Sequence, residues 1–308
     1  MALLFNIDDE RGAVWQALFA QHAPDLDIRL WSTLDDPRDI RWFASWQCPP
    51  DLYTRLPNLE VVFATSAGVD QFDPANMPDG VQLVRMLDPG IARGIVEYAC
   101  MAVLSQHRDL PMYLDHQRAG QWQEQPLQPA SQRRVGVMGL GNLGQAVLEA
   151  LAPFGFQRRG WSRSLRQIDG VECYAGAGQL NAFLGQCDIL LCLLPLTSDT
   201  QGILNASTFA ALPHGARLIN LGRGGHLVET DLLAALESGQ LSHAVLDVLK
   251  EEPPAADHPF FHHPNIWLTP HIGAMTSPES AFEGLLENIR RYQRGEPMIG
   301  AVEREKGY

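Results

Sequence analysis

The chain alternates short apolar runs with polar, helix-compatible stretches. In the first ninety residues the apolar runs fall at 3–7, 28–31, 40–46, 61–64 and 81–86. Runs of strand length separated by helical spacers predict an α/β unit with a parallel sheet. From Ile91 the apolar positions Ile91, Ile95, Ala99, Ala102 and Val103 recur at helical spacing, with no Gly or Pro between Gly94 and Pro111, which predicts a long connecting helix. Residues 120–134, rich in Gln and Pro without periodicity, predict a surface excursion. Six further candidate strands follow, at 134–138, 157–161, 188–194, 217–221, 244–248 and 266–269, with helical stretches such as 230–236 between them. They predict a second doubly wound parallel sheet. Residues 279–294 have the pattern of an amphipathic helix that returns to the first unit. The expected division is therefore residues 1–90 with 273–308 as one discontinuous domain, and 91–272 as the other.

The second unit opens on a glycine-rich turn. Gly139-Leu140-Gly141-Asn142-Leu143-Gly144 follows the apolar run ending at Met138 and leads into the helix-compatible run Gln145-Ala-Val-Leu-Glu-Ala-Leu151. A strand, this turn and a helix together make a Rossmann-type dinucleotide site. The first glycine permits the tight turn, the second admits a pyrophosphate to the backbone, and the third lets helix and strand pack closely. Gly139, Gly141, Asn142, Leu143 and Gly144 are thus cofactor candidates. About twenty residues beyond the first glycine an NAD site usually carries an acid for the ribose 2′-hydroxyl. Here no carboxylate occurs between Glu149 and Asp169, whereas Arg158, Arg159, Arg163 and Arg166 do. Ser162, Arg163, Ser164 and Arg166 suit a 2′-phosphate, so NADPH is expected, with NADH bound more weakly. Arg158 and Arg159 read as solvated surface residues.

Charge narrows the ligands further. Lys plus Arg number 23 against 36 Asp plus Glu, a net charge of −13 that opposes general affinity for nucleic acid or anionic lipid. The cofactor phosphate must then meet a local reversal of sign. The longest apolar stretch, 189–196, is far short of the ~20 residues of a membrane span. The N-terminus lacks the basic region of a signal peptide, and a cytoplasmic location is expected. Five cysteines without ligand spacing predict reduced, mostly buried thiols and no metal.

Three more stretches lie at predicted strand ends: Asn220-Leu-Gly-Arg223, Asp247-Val-Leu-Lys-Glu-Glu252-Pro, and Thr269-Pro-His271. Reduction of a 2-keto acid requires a cation for the carboxylate, a proton donor for the developing alkoxide and a hydride source. Arg223, a His271 supported by Glu252, and a nicotinamide supply these. The residues alone leave other readings open. Arg223 also fits a structural arginine in a Gly-rich turn, Glu252 a solvated charge before proline, and His271 one of ten histidines.

Taken together, the glycine turn, Asn-Leu-Gly-Arg223-Gly, Leu246-Asp-Val with Glu252-Pro, and Thr-Pro-His271 resemble the D-isomer-specific 2-hydroxyacid dehydrogenase family over the whole chain. Ser66-Ala-Gly-Val-Asp70, Glu97-Tyr98, Trp161-Ser-Arg, Asp231-Leu-Leu-Ala-Ala-Leu and Gly307-Tyr308 are similar to a subgroup that reduces glyoxylate and hydroxypyruvate. The resemblance implies two α/β domains, a Rossmann-type NADPH domain and a smaller flavodoxin-like substrate domain, in a cytoplasmic homodimer. It implies that hydride reaches the keto carbon while His271 protonates the oxygen, with Arg223, Glu252 and His271 as the catalytic set. It further implies that the backbone of Ala67 and Gly68 binds the substrate carboxylate and that Trp46 lies over the substrate. Leu194, Pro195, Leu221 and Asp247 complete the expected cofactor set. Two positions depart from the wider family: Gly222 stands where Ala or Ser is commoner, and Ala274 follows Gly273 in place of the usual Gly. Two rival functions remain: reduction of bulky aryl pyruvates, with Trp46 stacking on the ring, and a non-catalytic dinucleotide sensor.

Overall fold

The computed structural model describes residues 1–66, 68–73 and 77–303. Ala67, named above for the substrate, and the Gly307-Tyr308 terminus lie outside the described residues. The chain divides into two compact units, Met1–Ile91 with Met275–Tyr308, and Ala92–Ala274.

In the first unit β1 (Ala2–Asn6) leads to α1 (Asp9–His22), whose first turn is capped by the Asp8 carboxylate accepting the Arg11 amide at 2.9 Å. The helix buries Trp15 and Phe19 against the sheet, with Phe5 stacked on Trp15 at 4.9 Å between centroids. β2 (Asp27–Leu30), β3 (Ile40–Ser45), the single turn α2 (Leu52–Arg55), β4 (Val61–Ala64) and β5 (Gln82–Arg85) follow. The sheet order is β2-β1-β3-β4-β5 with every pairing parallel, which is the flavodoxin-like order. All four residues of β4 are buried, as a strand covered on both faces requires.

The connecting helix α3 (Pro89–His107) stops ahead of Pro111. Asp109 adopts a left-handed conformation at φ 54°, and α4 (Leu110–Arg118) starts afresh with Pro111 in its first turn, where a missing N–H costs nothing. Residues 119–129 carry no helix or strand, as expected of a surface excursion.

β6 (Arg134–Met138), α5 (Asn142–Ala150), β7 (Gln157–Ser162), β8 (Val171–Ala175), α6 (Gly176–Leu184), β9 (Ile189–Cys192), α7 (Ala206–Ala211), β10 (Ala216–Asn220), α8 (Glu229–Glu237), β11 (Leu241–Leu246) and β12 (Ile266–Leu268) build the second unit. Its sheet runs β12-β11-β10-β9-β6-β7-β8, a Rossmann order extended by one strand. Sequence patterning predicted six strands; the seventh is β8. As an edge strand it buries none of its five residues and so presents no apolar run. The order reverses between β6 and β9, and open α/β sheets bind ligands outside the carboxyl ends of strands at such a point.

α9 (Pro278–Gln293) belongs to the first unit, where Phe282 meets Phe19 edge-on at 4.9 Å. No helix among the described residues is long and apolar enough to cross a membrane. The five thiols are free, but only Cys187 and Cys192 are fully buried, so the expectation of mostly buried cysteines is corrected to two of five.

Candidate active site

The turn after β6 assigns a separate reason to each glycine. Gly139 sits at φ 105°, and a Cβ there would approach the Leu193 carbonyl oxygen, just beyond β9, to 2.6 Å. Gly144, in the first turn of α5, lies so close to Gly139 that a Cβ would fall 1.8 Å from its carbonyl oxygen. Gly141 differs, because nothing lies within 4 Å of its hypothetical Cβ. The space that its missing side chain leaves is open, at the start of a helix whose first turn has no side-chain cap. Amides there suit an anion, and the arrangement fits a dinucleotide pyrophosphate. Asn142 and Leu143 begin the helix.

At the end of β7 the Ser162 hydroxyl donates to the Ser164 carbonyl at 2.7 Å, forming a tight turn. Arg163, Ser164 and Arg166 are exposed on it. Arg158 and Arg159 are not the solvated residues expected. Arg158 donates to the Leu148 carbonyl of α5 at 2.8 Å, and Arg159 is buried and pairs with Glu172 on β8 at 3.4 Å. Their alternation along the strand turns both into the structure, leaving Arg163 and Arg166 as the exposed cations of this turn.

The remaining candidates of this unit lie at neighbouring strand ends. Leu194 and Leu221, after β9 and β10, are buried, and Pro195 is exposed with its carbonyl oxygen accepting the Thr200 hydroxyl at 2.6 Å. Arg223 follows β10 with an extended backbone, and its guanidinium donates to the Gly222 carbonyl at 2.8 Å. The next residue, Gly224, packs directly on the loop after β11, where a Cβ would stand 1.8 Å from the Leu249 carbonyl carbon. That loop presents Glu252, which accepts the Leu249 amide through Oε1 at 2.8 Å and the His271 Nδ1–H through Oε2 at 2.8 Å. Burial alone would raise the Glu252 carboxyl. The His271 hydrogen bond, the Leu249 amide and the charges of His271 and Arg223 outweigh it and hold the group below its usual range. The charges of Arg223 and His271 both act on the Glu252 carboxylate, although the three residues are separated along the chain.

Asp247, expected among the cofactor residues, has a second task. Its buried carboxylate accepts the Thr269 hydroxyl at 2.7 Å, the Ile272 amide at 2.8 Å and the Gly273 amide at 2.7 Å. Its carbonyl oxygen accepts the His271 amide at 2.9 Å. Because a carboxylate only accepts, Thr269 spends its proton on Asp247, and the Tyr98 hydroxyl donates to Thr269 at 2.5 Å. These bonds hold His271 in a left-handed conformation, φ 53°, that a non-glycine residue seldom adopts unaided. Among the residues named from sequence, Asp247 was not recognised as the support of the His271 loop. A Thr-x-His preceded by a buried strand-end Asp is its only trace in the sequence.

A profile of the D-isomer specific 2-hydroxyacid dehydrogenase NAD binding domain matches residues 100–273. The chain is 42% identical over 302 residues to glyoxylate/hydroxypyruvate reductase A of Serratia proteamaculans, with 96% of each chain covered. The chain belongs to the D-isomer-specific 2-hydroxyacid dehydrogenase family. Among solved structures, this dehydrogenase is similar to a D-isomer specific 2-hydroxyacid dehydrogenase from Xanthobacter autotrophicus Py2 in complex with NADPH and MES (37% identity, TM-score 0.93, 100% of this chain and 99% of that one). It is likewise similar to the NADPH-dependent glyoxylate/hydroxypyruvate reductase of Sinorhizobium meliloti in complex with NADP and sulfate (35%, TM-score 0.93, 100% and 99%).

In the first unit of this dehydrogenase, Trp46 is 43% exposed just after β3. Gln71 holds its carbonyl at 2.8 Å and reaches the Ser66 hydroxyl at 3.0 Å, and Ser66 in turn donates to the Gly68 carbonyl at 2.6 Å. Gln71 thus ties the loop of Trp46 to that of Gly68, a connection that sequence reasoning missed because a lone Gln in a polar stretch carries no signal.

Proposed function

We propose that the chain reduces small 2-keto acids, glyoxylate and hydroxypyruvate among them, to 2-hydroxy acids with NADPH. The observation that carries this reading is the His271–Glu252 pair, with the Arg223 charge acting on it, on the same unit and at the same sheet end as the Gly139 turn. The reductases of Serratia and Sinorhizobium support the substrate class. Bound NADPH supplies the hydride. Arg223 binds the substrate carboxylate and polarises the keto oxygen, and His271 delivers a proton to that oxygen. Glu252 orients the imidazole through its Nδ1–H. Ala67 and Gly68 contribute backbone to the carboxylate and Trp46 covers the substrate. Asn142 and Leu143 at the helix start, with Leu194, Pro195, Leu221 and Asp247, border the cofactor, and Arg163, Arg166, Ser162 and Ser164 take its 2′-phosphate. The protein acts as a cytoplasmic homodimer, whose subunit number sedimentation equilibrium measures.

NADPH oxidation with glyoxylate, hydroxypyruvate, pyruvate and phenylpyruvate tests the reading. Glyoxylate and hydroxypyruvate are expected to have the highest kcat/KM. A preference for phenylpyruvate assigns the aryl pyruvates instead, and no oxidation with any of them leaves the sensor. The cofactor assignment has its own check. Charge-assisted hydrogen bonds contribute roughly 1.5–3 kcal/mol, so Arg163→Ala is expected to weaken NADPH binding about ten- to a hundredfold. NADH affinity should stay within experimental error, and equal losses for both cofactors would refute the phosphate role.

A further inference from the structure

His226 is fully buried two residues beyond the Gly224 contact, and nothing in the proposed mechanism uses it. Its ring joins two loops. Nδ1 stands 2.9 Å from the Arg223 amide and Nε2 stands 3.2 Å from the Pro195 carbonyl oxygen. A backbone amide can only donate and a carbonyl can only accept. Nδ1 must therefore be the bare nitrogen and Nε2 must carry the proton. Imidazolium is excluded from this position, since it would set one N–H against another.

The ring's neighbours are fitted to it. A Cβ on Gly222 would come within 2.8 Å of Nδ1, so the glycine that departs from the wider family is the one that gives the imidazole room. The Gly202 and Leu204 amides donate to the Gly225 and His226 carbonyls at 2.9 and 2.8 Å, lacing the segment after β9 to the one after β10. Arg223 is consequently pinned on both sides of its Cα. His226 takes its N–H, and the Asn220 side chain donates to its carbonyl at 3.1 Å. With the backbone fixed, the Cα–Cβ direction of Arg223 is fixed too.

We infer that His226 is a positioning residue, a neutral Nε2–H imidazole that sets the direction of Arg223 and thereby recognition of the substrate carboxylate. The inference rests on the proposed role of Arg223 in 2-keto acid reduction. A buried histidine of purely structural value would lower thermal stability without selectively changing substrate recognition. A positioning residue acts mainly on the keto acid: the ring also holds the Pro195 carbonyl beside the proposed cofactor site, but the Gly139 turn and the β7 end, which take the phosphates in the proposed reading, are on other strands.

His226→Leu removes both hydrogen bonds, and His226→Gln keeps an acceptor and a donor on one planar group. Misplacement of a binding group by about 1 Å costs on the order of a hundredfold. In the leucine variant, kcat/KM for glyoxylate is expected to fall about ten- to a hundredfold, mostly through KM. Inhibition by oxalate, a carboxylate that is not reduced, should weaken in parallel while NADPH affinity changes less than about threefold. The glutamine variant should recover most of the loss. If the leucine variant does not fold, the glutamine variant decides alone, with a several-fold rise in KM at unchanged NADPH affinity expected because the amide cannot reproduce both ring contacts. An unchanged KM in a folded variant, or a loss of NADPH affinity as large as the loss of substrate recognition, overturns the inference. Wild-type protein that turns over no keto acid overturns the functional reading and this inference with it.

Discussion

His271→Ala is expected to lose about 10²–10⁴-fold in kcat while binding NADPH as the wild type does, the range general acid–base catalysis contributes. In the proposed mechanism, proton delivery and cofactor binding are carried by different strand ends. His271 follows β12, whereas the phosphate turn follows β6, with β11, β10 and β9 between them in the sheet. Glu252→Gln gives the contrasting result. The amide still accepts the Nδ1–H at the position where Glu252 now does, so orientation is largely retained and only the carboxylate's charge is lost. The loss in kcat for glyoxylate should therefore be smaller than in His271→Ala. A His271→Ala enzyme with wild-type kcat, or a Glu252→Gln enzyme with wild-type kcat, would remove the pair from the chemistry.

What could be read in the sequence divides along a physical line. Features fixed by local sterics were legible: the glycine turn, because each glycine answers one requirement of a strand–turn–helix, and the interior strands, because burial on both faces demands continuous apolar runs. β8 was not, since an edge strand with half-exposed residues has no such requirement. Arg158 and Arg159 were misjudged for a related reason. Charge suggests solvent, and only the packed position of the α5 carboxyl end and of Glu172 shows where they are paired. The meeting of Glu252 with His271, nineteen positions apart, is a product of parallel pairing between β11 and β12 and has no local signature. The same is true of Asp247, whose identity as a strand-end acid was visible but whose three hydrogen bonds to the His271 loop were not.

The glycines of the phosphate turn allow fold and cofactor affinity to be separated. Gly144→Ala is expected to prevent stable folding, because the new Cβ would sit 1.8 Å from a backbone carbonyl oxygen with no flexible side chain to yield. Overpacking commonly costs about 1–3 kcal/mol where side chains can adjust, and a backbone clash leaves less room than that. Gly141→Ala should behave oppositely. Its φ of −77° and ψ of −169° suit any residue, and nothing protein lies within 4 Å of the added methyl. The apoprotein should therefore unfold at or slightly above the wild-type temperature, since alanine reduces the freedom of the unfolded chain by the equivalent of about 0.4–1 kcal/mol. The methyl would instead stand where a pyrophosphate approaches the amides of α5, and lengthening two such charge-assisted hydrogen bonds should weaken NADPH about a hundredfold. Thermal unfolding with and without cofactor measures both effects at once. At a concentration of 100 Kd, NADPH adds about 2.7 kcal/mol to the wild type, and a variant bound a hundredfold more weakly should gain only about 0.4 kcal/mol at the same concentration. A Gly141→Ala protein that NADPH stabilises as strongly as the wild type would place the pyrophosphate elsewhere.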